Sequence, residues 1–214
     1  MSIAVPNVKI RQGARLPHWT REGATYAVTF RAADSLPKAV LEAWEFERRN
    51  LIRTARQFGR PLTSHEEKRL DQLFSEKVEK YLDEGQGKCW LQQDRIARVV
   101  AGALGFFEGG QYRLFAWCVM PNHVHVVLQP LPGHDLPAIL HSWKSYTAKE
   151  INKALQTTGR FWEVEYYDHL IRDARDFRAQ IEYVLGNPQK ARLKNWKWMA
   201  VAQVSRAVAR ASRP

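Results

Sequence analysis

Cysteine is nearly missing from this chain: Cys89 and Cys118 are the only two in 214 residues. Two thiols make no disulfide framework, and Cys118 sits in an apolar strand pattern that suits a small buried residue. Long apolar runs are missing too, and none approaches the ~18 residues of a membrane-spanning helix. The N-terminal stretch MSIAVPNVKIRQGARLPHW has no apolar signal core. A reducing, cytoplasmic and nucleoid-associated setting with no membrane partner is the expectation. Acids are scarce: 22 Asp and Glu stand against 33 Lys and Arg, a net charge of +11. That imbalance points to a polyanion, most commonly nucleic acid, although an ordinary basic protein would show it as well. The chain has no repeats and no long low-complexity linker.

What is present suffices for one core, with 45% hydrophobic residues. TYAVTFRA (25–32) alternates like a strand. Residues 34–56 carry a helical stripe through Val40, Leu41, Trp44, Leu51, Ile52 and Ala55. A capping-box pattern, Thr63 to Glu66, opens a second helical stretch that ends at Gly85 and Gly87, and a shorter helix is expected over 92–106. QYRLFAWCVM (111–120) and HVHVVLQP (123–130) form a hairpin around Pro121 and Asn122. A helix over 135–155, a strand over 161–171 and a helix over 173–188, stopped by Pro188, complete the order. With an insertion at about 60–107 set aside, the remainder reads βαββαβ plus one helix. That is an α+β, ferredoxin-like antiparallel sheet with helices. The expected domain runs 1–198, followed by a basic tail at 199–214.

Two histidines one residue apart, His123 and His125, must share a strand face, while Val124, Val126 and Leu128 share the other. Such a pair can be structural, or it can give two ligands to one ion. Two ligands are too few for a closed zinc site, so an open site that also binds substrate oxygens is the functional alternative. In the last helix Ala174, Phe177, Ile181, Val184 and Leu185 form the core stripe. Tyr183 and Asn187 lie one turn apart on nearly the opposite side and can meet one object. On the helix alone, an exposed tyrosine and a helix-terminal Asn before Pro188 is the ordinary reading. Tyr146 and Glu150 offer the same i, i+4 pairing on another helix, beside its core stripe, where an aromatic is expected for packing.

Four segments, LPHWTREGATYAVTFRAADSLP, VMPNHVHVVLQP, FWEVEYYDHLIRD and YVLGNPQKARL, span most of residues 16–193. In this order they resemble the single-tyrosine HUH transposases, most closely the REP-associated tyrosine transposases. The resemblance implies an HUH endonuclease-type core that nicks and rejoins single-stranded DNA at REP-like palindromic hairpins. It makes His123 and His125 metal ligands, Asn187 the third ligand position, Tyr183 the nucleophile and a divalent ion, Mg²⁺ or Mn²⁺, the cofactor. It also favours Tyr183 over Tyr146, because the nucleophile stands just before NP. REP-associated relatives are monomeric, so a monomer is expected, whereas insertion-sequence relatives pair as dimers. A catalytically inactive hairpin-DNA-binding protein and a replication-initiator-like nickase are the alternatives. A small-molecule hydrolase lacks the further His or Asp ligands.

A tyrosine with pKa near 10 is only ~10⁻³ phenolate at neutral pH, a handicap of about 4 kcal/mol. A divalent ion on the scissile phosphate and a positive local field are expected to offset it. Arg172, Arg175, Lys190, Arg192, Lys194 and Lys197 cluster near Tyr183 in sequence, with Trp196 and Trp198 interleaved. They are the expected phosphate and base contacts, or else a solvated basic surface.

Overall fold

The computed structural model describes residues 9–12, 17–21, 23–60, 63, 65, 66, 69 and 78–202. Lys9–Gln12 (β1) and Pro17–Thr20 (β2) pair as a separate hairpin that the sequence pattern does not announce. The main sheet is antiparallel throughout. It comprises Tyr26–Arg31 (β3), Tyr112–Val119 (β4), His123–Pro130 (β5), Tyr167–Leu170 (β6) and Met199–Val201 (β7), in the order β6-β3-β5-β4-β7. Counting β3 to β6 as the four strands of a βαββαβ unit, the order is fourth, first, third, second, the ferredoxin-like arrangement, with β7 added at one edge.

The helices are Lys38–Gln57 (α1), Lys80–Asp83 (α2), Asp94–Phe106 (α3), Leu136–Leu155 (α4) and Ala174–Lys190 (α5). Strand alternation sends Val28, Phe30, Val124, Val126 and Leu128 to one face. There they meet Ile96, Val100 and Leu104 of α3 and Ile139, Leu140, Trp143 and Ile151 of α4. Polar atoms in this layer are paired. Trp143 Nε1 donates to the Tyr112 hydroxyl at 3.0 Å, and that hydroxyl donates to the Leu104 carbonyl at 2.8 Å. The other face carries Ala27, Ala116, Cys118 and Val127, covered by α5 through Val184, Phe177 and Ile181. The sheet is therefore buried on both sides, which explains why β5 is apolar on its valine face and still has its histidines covered. Asp173 caps α5, its Oδ1 accepting from the backbone N–H of Arg175 at 2.8 Å and of Asp176 at 2.9 Å.

Several boundaries differ from the sequence expectation. The helix that packs on the sheet between β3 and β4 is α3. Among the described residues, α1 packs through Leu41 and Leu51 against a separate small cluster of Leu36, Val78 and Leu82. The inserted part is thus α1 to α2, not 60–107, because Ile96, Ala97, Val100 and Leu104 are core side chains with almost no exposure. The Thr63–Glu66 capping box forms, with reciprocal bonds of 2.8 and 3.2 Å. Within the expected second helical stretch, the helically spaced apolar residues Leu70, Leu73 and Phe74 lie outside the described residues. The strand expected over 161–171 is confined to β6. Pro188 does not stop α5 but sits inside its last turn, where its missing N–H leaves the Val184 carbonyl one turn back without that donor. The domain does not end at 198, since β7 hydrogen-bonds to β4 through Cys118↔Met199 and its neighbours. Of the expected tail, 203–214 lies outside the described residues.

Candidate active site

β5 begins immediately after a tight turn in which the Met120 N–H donates to the His123 carbonyl at 2.8 Å. The register sets Thr29 opposite His125 on one side and Cys118 opposite it on the other. His123 and His125 project to the α5 face and are buried. Their Nε2 atoms approach to 2.8 Å with the rings nearly perpendicular, at 87°. Two cis ligands about 2.1 Å from one ion stand about 3 Å apart, so the pair is preformed for a shared ion.

Second contacts fix both rings. Asn122 Nδ2 donates to the Gln86 carbonyl at 2.8 Å, which orients the amide so that its Oδ1 accepts from His123 Nδ1 at 2.7 Å. His123 thus carries its proton on Nδ1 and presents a lone pair at Nε2. His125 Nδ1 is 2.8 Å from the Thr29 hydroxyl. Burial holds the His125 pKa down to about 3, helped by the positive charge of Lys190. Burial and then the neighbouring His125 hold His123 well below the ordinary histidine value. Both imidazoles are neutral at pH 7, the form that ligates metals.

α5 brings Tyr183 against this pair, its ring 5.3 Å from that of His125 and edge-on to it. Lys190 Nζ lies over the tyrosine ring, 4.3 Å from its centroid. Asn187, one turn on, is buried. Its Nδ2 donates to the Tyr183 carbonyl at 2.7 Å, and its Oδ1 has no hydrogen-bond partner among the described residues. A buried amide oxygen without a donor costs about 1–3 kcal/mol, which a cation would relieve. No group of three or more His, Cys, Asp or Glu among the described residues could hold a metal. The unpartnered Asn187 oxygen is a hard donor of the kind that could join the two imidazoles on a divalent ion. Tyr183 and Asn187 consequently face the sheet, not the solvent side that the helical wheel suggested.

The local field differs from the expected one. The Tyr183 hydroxyl donates to Glu79 Oε1 at 2.6 Å. Burial first, and then the Glu79 and Asp83 carboxylates, push the tyrosine well above its ordinary pKa. Burial likewise raises Glu79 and Asp83, with Lys190 opposing in both. The expected positive surroundings of the phenol are thus acidic at the hydroxyl itself. Tyr146, the competitor, sits on α4 across the sheet from the histidines and is 55% exposed rather than packed beside the core stripe.

The six basic residues do not make one patch. Arg172 and Arg175 are exposed at the start of α5, and Lys190, Arg192 and Lys194 are exposed at or beyond its end. From Arg175 to Lys190 the helix spans about 22 Å. Lys197 pairs with Asp94, whose other oxygen accepts from Trp198 Nε1 at 3.0 Å. Trp196 Nε1 donates to the Val119 carbonyl at 2.9 Å. The indole N–H groups of both interleaved tryptophans therefore tie down the chain leading into β7. Sequence reasoning missed Thr29, Asn122 and Glu79. Asn122 was legible as the turn residue beside His123; Glu79 lies 104 residues from Tyr183 and gave no signal.

Residues 91–185 match the family model described as "Transposase IS200 like". A REP-associated tyrosine transposase of Escherichia coli (strain K12) is 27% identical over 79 residues, covering 37% of this chain and 46% of that protein. A Haemophilus influenzae relative with a provisional form of the same name is 25% identical over 89 residues, covering 37% and 51%. The chain spans about half the length of these curated relatives. A solved REP-associated tyrosine transposase bound to a REP hairpin aligns with TM-score 0.45 and 17% identity, over 94% of this chain and 89% of that one. No helix among the described residues is long and apolar enough to cross a membrane.

Proposed function

From the IS200-like transposase region at 91–185 we propose that this protein is a tyrosine transposase. It nicks and transfers single-stranded DNA at REP-like palindromic hairpins through a 5′-phosphotyrosine. The observation that carries the reading is the meeting of Tyr183 with the His123–His125 pair, 5.3 Å between the Tyr183 and His125 rings, beside the unpartnered Asn187 oxygen.

His123 Nε2, His125 Nε2 and Asn187 Oδ1 would hold a divalent ion, Mg²⁺ or Mn²⁺. When bound it supplies Lewis-acid polarisation of the scissile phosphate. Asn122 and Thr29 keep the imidazoles in their ligating orientation. Tyr183 Oη attacks phosphorus and forms a phosphotyrosine on the 5′ side, and the bond to the 3′ oxygen breaks. The covalent ester conserves the phosphodiester energy, so a second 3′-hydroxyl can reverse the step without ATP. Lys190, beside the nucleophile, is placed to neutralise phosphate charge. Arg172, Arg175, Arg192 and Lys194 are assigned to flanking backbone contacts, and Lys197 only if its pairing with Asp94 opens. A monomer is the proposed acting form.

The test is incubation with labelled single-stranded REP-like hairpins and Mn²⁺ on denaturing gels. A shifted protein–DNA adduct is expected from the wild type and Tyr146→Phe, and none from Tyr183→Phe. Salt-dependent hairpin binding without any adduct would instead identify an inactive hairpin-binding protein.

A further inference from the structure

The proton of the nucleophilic phenol needs an acceptor when Tyr183 attacks phosphorus. The inserted segment, α1 to α2, otherwise has no role in the reaction. One side chain supplies both. Glu79 stands at the start of α2, on the inserted segment, and its Oε1 receives the Tyr183 hydroxyl at 2.6 Å. This hydrogen bond is short enough to be charge-assisted. The carboxylate is held from behind. Its neighbours Val78 and Leu82 are buried in a cluster with Leu36, packed by Leu41 and Leu51 of α1. The inserted helices therefore anchor a carboxylate at the reacting oxygen. Lys190, over the tyrosine ring at 4.3 Å, faces the same group.

We propose that Glu79 is a catalytic residue, the general base of the transfer reaction, and that the inserted segment serves to deliver it to Tyr183. As Tyr183 Oη forms its bond to phosphorus, its proton passes to Glu79 Oε1. The P–O3′ bond breaks, and its electron pair leaves on the 3′ oxygen, which takes a proton from water. In the reverse step an incoming 3′-hydroxyl attacks phosphorus and loses its proton to water. The protonated Glu79 then returns its proton to the departing tyrosine oxygen. This inference rests on Tyr183 being the nucleophile.

The experiment measures the rate of covalent adduct formation and the hairpin affinity for wild type, Glu79→Gln and Glu79→Asp. Wild-type and Glu79→Gln proteins are also made with 3,5-difluorotyrosine at 183, whose more acidic phenol needs a base less. A positioned general base contributes about 10²–10⁴-fold. Glu79→Gln should therefore slow adduct formation at least about 100-fold with hairpin affinity changed less than about threefold, and Glu79→Asp should fall between. With difluorotyrosine the Glu79→Gln deficit should shrink to below about tenfold. A Glu79→Gln rate equal to or above wild type would overturn the proposal and make the carboxylate a lock on the tyrosine. An equal deficit with both nucleophiles would overturn it in favour of a positioning role. No adduct even from wild type would refute the nucleophile assignment itself, and the base role with it. That outcome is distinct from a wild type that reacts and a Glu79→Gln that reacts equally well.

Discussion

Replacing Asn122 with alanine removes the hinge of the histidine pair. Asn122 is buried and spends both ends of its amide, one on His123 Nδ1 at 2.7 Å and one on the Gln86 carbonyl at 2.8 Å. Truncation strands the Nδ1–H of a ring with no solvent exposure, at about 1–3 kcal/mol, and forfeits a second bond of about 1 kcal/mol. The expected loss is about 2–4 kcal/mol of unfolding free energy. The functional effect is larger in character, because the proton is no longer pinned to Nδ1. Moved to Nε2, it occupies the position from which His123 would ligate. Loss of such an outer partner typically weakens a metal about 10–100-fold. Urea unfolding followed by tryptophan fluorescence gives the first quantity, and titration calorimetry with Mn²⁺ gives the second. A variant within 0.5 kcal/mol of wild type (roughly the scatter of neutral surface changes) that binds Mn²⁺ unchanged would refute both the tautomer assignment and the metal reading.

Two further outcomes follow from the packing. Leu104→Ala on α3, fully buried on the sheet, should cost about 2–5 kcal/mol, while Ile52→Ala on the half-buried α1 should cost well under half as much. Similar losses would mean that α1 shares the main core. Burial pushes the Cys118 thiol up to about 12 from its usual 9.0. The folded state then keeps a proton that the unfolded chain releases. The associated stability is complete below pH 9 and lost as pH rises from 9 towards 12, by up to about 1.4 kcal/mol per pH unit. Cys118→Ala should flatten the alkaline limb of the stability curve, and an unchanged slope would contradict the burial argument.

The histidine pair was legible because strand periodicity fixes faces without knowledge of the partner strands. The ferredoxin-like order followed from the same alternation, read strand by strand. Periodicity could not say which of two amphipathic helices covers the sheet, since α1 and α3 both show a stripe. Only the near-total burial of Ile96, Val100 and Leu104 decides it. The helical wheel put Tyr183 and Asn187 opposite the core because it assumed one apolar neighbour, whereas α5 lies with its flank over the buried histidines. The basic residues looked clustered because α5 was read as a string; its length separates Arg175 from Lys190. The sequence pattern suggests Lys197 and the two tryptophans as ligand contacts, but Asp94 and the Val119 carbonyl, each more than 75 residues distant, claim their polar atoms. Glu79 was invisible for the same reason of distance, and it reverses the expected sign of the field at the nucleophile.

The central claim is that Tyr183 forms the covalent bond to DNA. Its most direct test is tryptic mass spectrometry of the protein after reaction with a REP-like hairpin in Mn²⁺ and nuclease trimming of the DNA. A nucleotide remnant is expected on the peptide of residues 179–190, localised by fragmentation to Tyr183. A remnant on the peptide of residues 145–149, which holds Tyr146, or no modified peptide from protein that has cleaved its substrate, would contradict it.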